Sequence, residues 1–466
     1  MTKKYKVYGM IVMTKTVYSK ATIPAHRGNP LIECLPDLEG KELLKSWIQK
    51  PTLSPEEKSE SNRYRRLSIS TLDQTFNYPL QTYREFFNRL EEALLSSYAA
   101  KNPLDPSTIH FLHNLDYDDT ILKPKGRFKP NGKAITLIGK SGVGKSTMIE
   151  RTLGVFSQFY LHDEYQNINL GGLKQITYLL IECPSSGSPK SLCIAILAEL
   201  GRLAGLNKDE FLNTRLSREQ LELLVEMRLR EYFVGVLVID EIQNLLQAKS
   251  GMADLLAFLL LLVNRSGVVL VFSGNEDARD IFTQKHRIGR RGEAGGVVEM
   301  QPLNKKSWQS VLTVLWRYQW LREDTKLTQK IVDLLFSLTG GFIDQTIRVF
   351  QECQKVAIEN GSEKITLDNI KEAYEKACAF SHSYILSDSQ EDIIESIFDE
   401  EDSCEDKPNK PRTQNSEFPE LDYLHTEFQI NKNFDLEPIL ISLDSNDSDF
   451  EQNLYKTGLV CTNLID

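Results

Sequence analysis

Residues 134–147 read AITLIGKSGVGKST, and their reading decides the fold. Gly139, Gly144, Lys145 and Ser146 fit the phosphate-loop pattern G-x-x-x-x-G-K-[ST] with no mismatch. The flanks come in the order the motif needs: an apolar, β-rich run over 134–138, the loop, then a helix-compatible stretch over 145–153. Glycines in such a loop let backbone N–H groups converge on phosphate oxygens, and the helix N-terminus adds partial positive charge. The candidate phosphate-contacting residues are therefore Gly139, Lys140, Ser141, Gly142, Val143, Gly144, Lys145, Ser146 and Thr147. Lys145 is expected to reach the β- and γ-phosphates, and Ser146 to offer its hydroxyl to Mg²⁺. The alternative is a chance glycine turn ahead of a helix.

The other half of a nucleoside-triphosphate site is a buried strand that ends in acids. The run VGVLVI over 234–239, followed by Asp240 and Glu241, is the best candidate in the chain. Asp240 is expected to hold Mg²⁺ through water, and Glu241 to orient and deprotonate the attacking water, the two tasks that phosphoryl transfer to water requires. Two surface carboxylates at a strand end would be the plainer reading.

The chain has 466 residues, 41% of them hydrophobic, which exceeds what one compact core commonly uses. Its longest apolar run, 255–263, falls short of the roughly 20 residues that span a bilayer. The opening MTKKYKVYGM has no secretory apolar segment, so the expected location is cytoplasmic and away from membranes. Seven scattered cysteines without a C-x-x-C pair argue against a zinc site or a disulfide framework.

The net charge of −10 conceals a division. Residues 381–466 hold 5 Lys and Arg against 21 Asp and Glu, which leaves 50 basic and 44 acidic residues upstream. A mildly basic body suits a phosphate backbone; the acidic, polar tail reads as a flexible, partner-binding extension with short apolar islands at 436–443 and 454–460.

Along the chain, the first hundred or so residues alternate between β-like and irregular sequence before a helical stretch over 83–100. Within them 52–66, TLSPEEKSESNRYRR, reads as an exposed loop. From 132 to 302 the pattern is α/β, with strands expected at 134–138, 176–182, 234–239, 268–272 and 297–300, mostly apolar throughout, as in a parallel sheet covered on both faces. Ser217 and Gln220 form a capping-box signature ahead of one helix; 252–264 is apolar nearly all round and should be buried or face another subunit. After 303 come four amphipathic segments, around 307–318, 328–338, 343–360 and 367–379, which read as a small all-helical domain. The expected division is an N-terminal extension (1–104), an α/β nucleotide-binding core (105–303), a helical lid (304–380) and the acidic tail (381–466).

Phosphate loop, acidic strand, a further strand ending in polar residues and a helical lid together resemble the AAA+ ATPase module, over about residues 105–380. The resemblance implies a P-loop α/β core that hydrolyses ATP with Mg²⁺. It also implies a γ-phosphate sensor after VVLVF, where Asn275 is the choice; Asn275 could equally serve a left-handed turn with Gly274. An arginine finger from a neighbouring subunit is implied in RIGRRGEAGG, which supplies Arg287, Arg290 and Arg291; Arg290 is the choice and Arg291 the reserve, with a solvated loop or a DNA contact as the other readings. Arg348 matches the lid arginine that contacts nucleotide, or is a helix-surface charge.

Within AAA+ proteins the chain is most similar to TnsC and TniB, the ATPases that regulate target choice in TnsABC-type transposons, including those associated with CRISPR effectors. The residues that carry this are GKSGVGKST, NPLIECLP (29–36), YAAKNPL (98–104) and ECPSSGSPKSL (182–192). The resemblance implies a homo-oligomeric ring or filament on double-stranded DNA. Lys190 would then lie on the DNA backbone, the N-terminal hundred residues would dock a TnsD- or TniQ-like target selector, and the tail would dock TnsA- or TnsB-like transposase subunits. A helicase-loader-type AAA+ ATPase and a nucleotide-stabilised scaffold that rarely hydrolyses ATP are the competing readings.

Overall fold

The computed structural model describes residues 16–106, 108, 131–186, 188–206, 215–247, 252–279 and 295–378. The candidate arginines Arg287, Arg290 and Arg291 and the tail 381–466 lie outside the described residues. What is described divides into two compact units. One takes its residues from 1–48 and 82–301, the other from 49–81 and 302–466, so both run across the boundary expected at 104.

The first unit is built on a five-stranded sheet. Its strands are β1 (Ala134–Gly139), β4 (Tyr178–Glu182), β5 (Val236–Asp240), β6 (Val269–Gly274) and β7 (Val297–Met300), in the spatial order β4-β5-β6-β1-β7. Every neighbouring pair is parallel, as the unbroken apolar runs predict: Val236, Leu237, Val238 and Ile239 are all fully buried. Because the strands point one way, the loops that leave β1, β5 and β6 emerge at the same edge of the sheet, where open α/β sheets bind ligands. The helix expected over 145–153 is α6 (Lys145–Leu153), and the capping box is present, Ser217 accepting from Gln220 N ahead of α8 (Arg218–Glu231). The apolar helix α9 (Met252–Ser266) buries Leu255, Leu256, Leu259 and Leu262 against the sheet, together with α7 (Pro189–Ala204).

Between α6 and β4 the chain inserts an antiparallel hairpin, β2 (Phe159–Tyr165) and β3 (Ile168–Ile176), which anchors the N-terminal segment along its length. Tyr165 Oη donates to Glu33 at 2.5 Å, Tyr18 Oη meets His162 Nδ1 at 2.8 Å, and Gln175 Nε2 donates to Leu31 O at 3.0 Å. The stretches NPLIECLP and YAAKNPL are joined as well. Asn29 caps α1 (Pro30–Glu33) by accepting from Leu31 N and donates to Tyr98 O at 2.8 Å, and Asn102 Nδ2 donates to Gly28 O at 3.2 Å. Tyr98 closes α5 (Gln81–Ala99) with its hydroxyl on Phe233 O, and Lys101 Nζ reaches Val234 O at 3.2 Å, so this pair of stretches is tied to the chain entering β5. Burial pulls the Lys101 ammonium down to about 7.

The second unit contains α10 (Lys305–Leu315), α11 (Gln329–Thr339), α12 (Ile343–Glu359) and α13 (Leu367–Cys378), matching the four amphipathic segments. The segment 52–66 corrects the sequence expectation: part of it is helical, not loop. Ser61 caps α3 (Asn62–Ile69) by accepting from Tyr64 N, and Arg65 is wholly buried. Its guanidinium forks onto both Glu363 oxygens at 2.6 and 2.7 Å and donates to Trp320 O at 3.1 Å. A charged run with one buried arginine has no apolar periodicity to betray it, because the burial depends on a partner some three hundred positions later.

Arg65→Ala should therefore destabilise the second unit by about 1–3 kcal/mol, by depriving the buried Trp320 carbonyl and the Glu363 carboxylate of their Arg65 donors. The Arg65 hydrogen bond also holds the Glu363 pKa below the ordinary carboxylate value. That contribution is present above the unfolded pKa and is lost as pH falls, so the gap between variant and parent should narrow in acid. Three of the four tryptophans, Trp308, Trp316 and Trp320, belong to this unit, so fluorescence-detected unfolding measures it. An unfolding midpoint unchanged by the substitution would refute the role.

Candidate active site

The loop between β1 and α6 is shaped by its glycines. Gly142 and Gly144 have φ of 83° and 97°, the left-handed region that side chains disfavour. Gly139 serves another purpose: it pairs with Met300 in the register of β1 and β7, and a Cβ there would collide with the Met300 carbonyl oxygen. The first glycine of the motif thus lets the outer strand approach, while the later ones turn the backbone.

Lys145 begins α6 with its side chain buried, and its Nζ donates to Gly139 O at 2.7 Å and to Lys140 O at 3.0 Å. Burial lowers its pKa below the usual lysine value, an effect opposed by the charges of Glu241 and Asp240. Ser146 Oγ donates to Asp240 Oδ2 at 2.8 Å, which joins the phosphate loop to the end of β5 across 94 positions of sequence. The other oxygen, Asp240 Oδ1, accepts from Glu241 N at 2.9 Å. Glu241 itself has φ of 55°, a conformation that costs a non-glycine residue about 1 kcal/mol or more. Such strain is found where a side chain must be aimed.

Asn275 stands just past β6, at the same sheet edge. Its backbone N–H donates to Gln243 Oε1 at 3.1 Å and its Nδ2 to Asp277 Oδ2 at 2.9 Å, while its Oδ1 is buried without a partner among the described residues. Ser273 Oγ, on β6, is also buried and unpartnered. Orphaned polar atoms beside two acids and a buried ammonium are what a site for a polar ligand leaves when no ligand is present. Among the described residues no three His, Cys, Asp or Glu are grouped to hold a metal. A magnesium site of the phosphate-loop kind needs only the Ser146 hydroxyl, the Asp240 carboxylate, water and substrate oxygens, and this hard-oxygen set fits it.

The structure thus brings together residues 139–147, Asp240, Glu241 and Asn275. Lys190 is half-buried in the first turn of α7, and Arg348, exposed on α12 in the second unit, pairs with Asp344 at 3.1 Å. Sequence reasoning missed Gln243, which links Glu241 to Asn275; its only signal was an amide two positions past the acids.

Residues 130–282 match the family model described as an AAA domain. No curated protein matches the chain significantly. Among solved structures, Cdc6p from Pyrobaculum aerophilum is similar at 16% identity over 70% of this chain and 86% of that one, with a TM-score of 0.41. The ORC2 protein of Aeropyrum pernix, as ADPNP–ADP complexes, is 14% identical over 53% of this chain and 64% of that one, at 0.39. Domain III of the Thermotoga maritima replication initiation protein DnaA is 14% identical over 64% of this chain and 99% of that one, at 0.34. The fold rests on the domain match and the sheet: residues 130–282 match an AAA domain, and the chain forms an α/β phosphate-loop core on a five-stranded parallel sheet, with a helical region following it. No helix among the described residues is long and apolar enough to cross a membrane.

Proposed function

We propose that this chain is an ATP-dependent regulator of DNA transposition of the TnsC and TniB kind. It binds ATP and Mg²⁺, oligomerises on duplex DNA as a ring or helical filament, links a TnsD- or TniQ-like selector to TnsA- and TnsB-like transposase subunits, and leaves the DNA on hydrolysis. The observation that carries the hydrolytic part is the bonded run from Ser146 through Asp240 to Glu241. Lys145 exchanges the carbonyls of Gly139 and Lys140 for β- and γ-phosphate oxygens; Ser146 and Asp240 hold the metal, and Glu241 takes the proton of the attacking water. Bound Mg²⁺ neutralises the charge that develops on the phosphates. Asn275 senses the γ-phosphate. The resemblance assigns Arg348 to nucleotide, Arg290 with Arg291 in reserve to the neighbouring protomer's site, and Lys190 to a DNA phosphate. Support for the transposition-specific part is the sequence of four stretches, GKSGVGKST, NPLIECLP, YAAKNPL and ECPSSGSPKSL, together with a mildly basic body.

Electron microscopy of the full chain with duplex DNA, comparing a non-hydrolysable ATP analogue with ADP, tests this. Ordered assemblies should form with the analogue and not with ADP, without regard to base sequence, and weaken steeply as salt rises. Equal assembly without nucleotide, or affinities that differ strongly between unrelated duplexes at one ionic strength, would reject it. Co-purification with a replicative helicase in place of transposase would turn the assignment towards helicase loading.

A further inference from the structure

The segment that leaves β5 is stapled on both sides. Asn244 Nδ2 donates to Cys183 O at 2.9 Å, at the exit of β4, and Gln243 reaches the exit of β6. The Gln243 amide is used at both ends. Its Oε1 accepts from Asn275 N at 3.1 Å, so its Nε2 must face the other way, and there it donates to Glu241 Oε2. The fit is close: a Cβ on Gly274 would come within 2.8 Å of Gln243 Oε1 and of Ile242 Cγ2, so only glycine at 274 leaves room for the amide. One side chain therefore connects the carboxylate read as the general base to the backbone of the residue read as the phosphate sensor.

We propose that Gln243 is a positioning residue for hydrolysis: it aims the Glu241 carboxylate and ties that aim to the position of the β6 exit at Asn275. This rests on the hydrolytic reading above. Glu241, held in a left-handed backbone conformation, has a direction fixed by its main chain but a carboxylate free to rotate about three side-chain bonds. A donor fixed by a second bond removes that freedom. Any shift of Asn275 towards a phosphate is then transmitted through a single amide to the base, which gives the site a means to wait for nucleotide before aligning water.

Two variants of the full chain test the assignment. Gln243→Glu keeps the length and the acceptor for Asn275 N–H but cannot donate to Glu241; Gln243→Met keeps length and packing without charge, in case the extra carboxylate harms folding. Steady-state turnover, with and without duplex DNA, is read beside equilibrium binding of a fluorescent ATP analogue and the melting temperature. Both variants should lose about tenfold or more in kcat, with KM and analogue affinity within about threefold of the parent. A parent that turns over while both variants match its kcat overturns this assignment and leaves hydrolysis standing. A raised KM with unchanged kcat also overturns it, since it would make Gln243 a nucleotide contact. A parent with no turnover under either condition overturns the hydrolytic reading, and this one with it.

Discussion

Lys145→Ala should weaken ATP binding by about 100-fold or more, and with it abolish ATP-stimulated assembly on duplex DNA, while the chain still folds. The binding loss follows from removing the buried cation of the loop, because a charge-assisted hydrogen bond to phosphate contributes about 1.5–3 kcal/mol and Lys145 is expected to make more than one. Folding is spared for a different reason. In the structure the ammonium carries a desolvation cost, visible in its lowered pKa, that its bonds to Gly139 O and Lys140 O roughly offset. Deleting both the cost and the bonds leaves stability near its starting value. Lys145→Arg makes a useful companion, because a planar guanidinium cannot occupy the same pocket between two carbonyls. Calorimetric titration with ATP reads the effect directly; an alanine variant that binds within about threefold of the parent would refute the role of the loop.

How much of this site could be read from sequence depends on how local each signal is. The phosphate loop is a contiguous pattern whose conformation its own glycines dictate, and α6 follows where expected, over Lys145–Leu153. The β5 acids were legible because a buried parallel strand is apolar on both faces and then stops at Asp240 and Glu241. The four helices after 303 announced themselves by period. What could not be read was set by distant partners. The hairpin β2 and β3 turns on Gln166 and Asn167 with φ of 48° and 65°, and this pair lacks the Asn-Gly signature that marks such turns. The anchoring of 16–35 is a set of side-chain bonds to that same hairpin, invisible without it. Gln243 is a further case of the kind: nothing in DEIQN distinguishes a solvated glutamine from one whose two ends meet Glu241 and Asn275.

Glu241→Gln should lower ATP turnover by about 10²–10⁴-fold and leave nucleotide affinity within about threefold, since the amide has the shape of the acid but cannot accept the proton of water. The backbone N–H at position 241 is untouched by the substitution and still donates to Asp240 Oδ1, so the Asp240 carboxylate stays in place. If hydrolysis is what ends the DNA-bound state, assemblies made with ATP should then last as long as those made with a non-hydrolysable analogue. Turnover unaffected by the substitution, with and without DNA, would instead favour a scaffold that keeps its nucleotide. Backbone conformation supplies an independent check on the purpose of this position. At φ of 55° glycine is the undemanding residue, so Glu241→Gly should abolish turnover and yet raise stability by about 0.5–1 kcal/mol relative to Glu241→Gln. An inactive chain that melts higher than the glutamine variant would mean that stability is given up at residue 241 to aim a carboxylate; equal melting temperatures would remove that argument for Glu241 as the base.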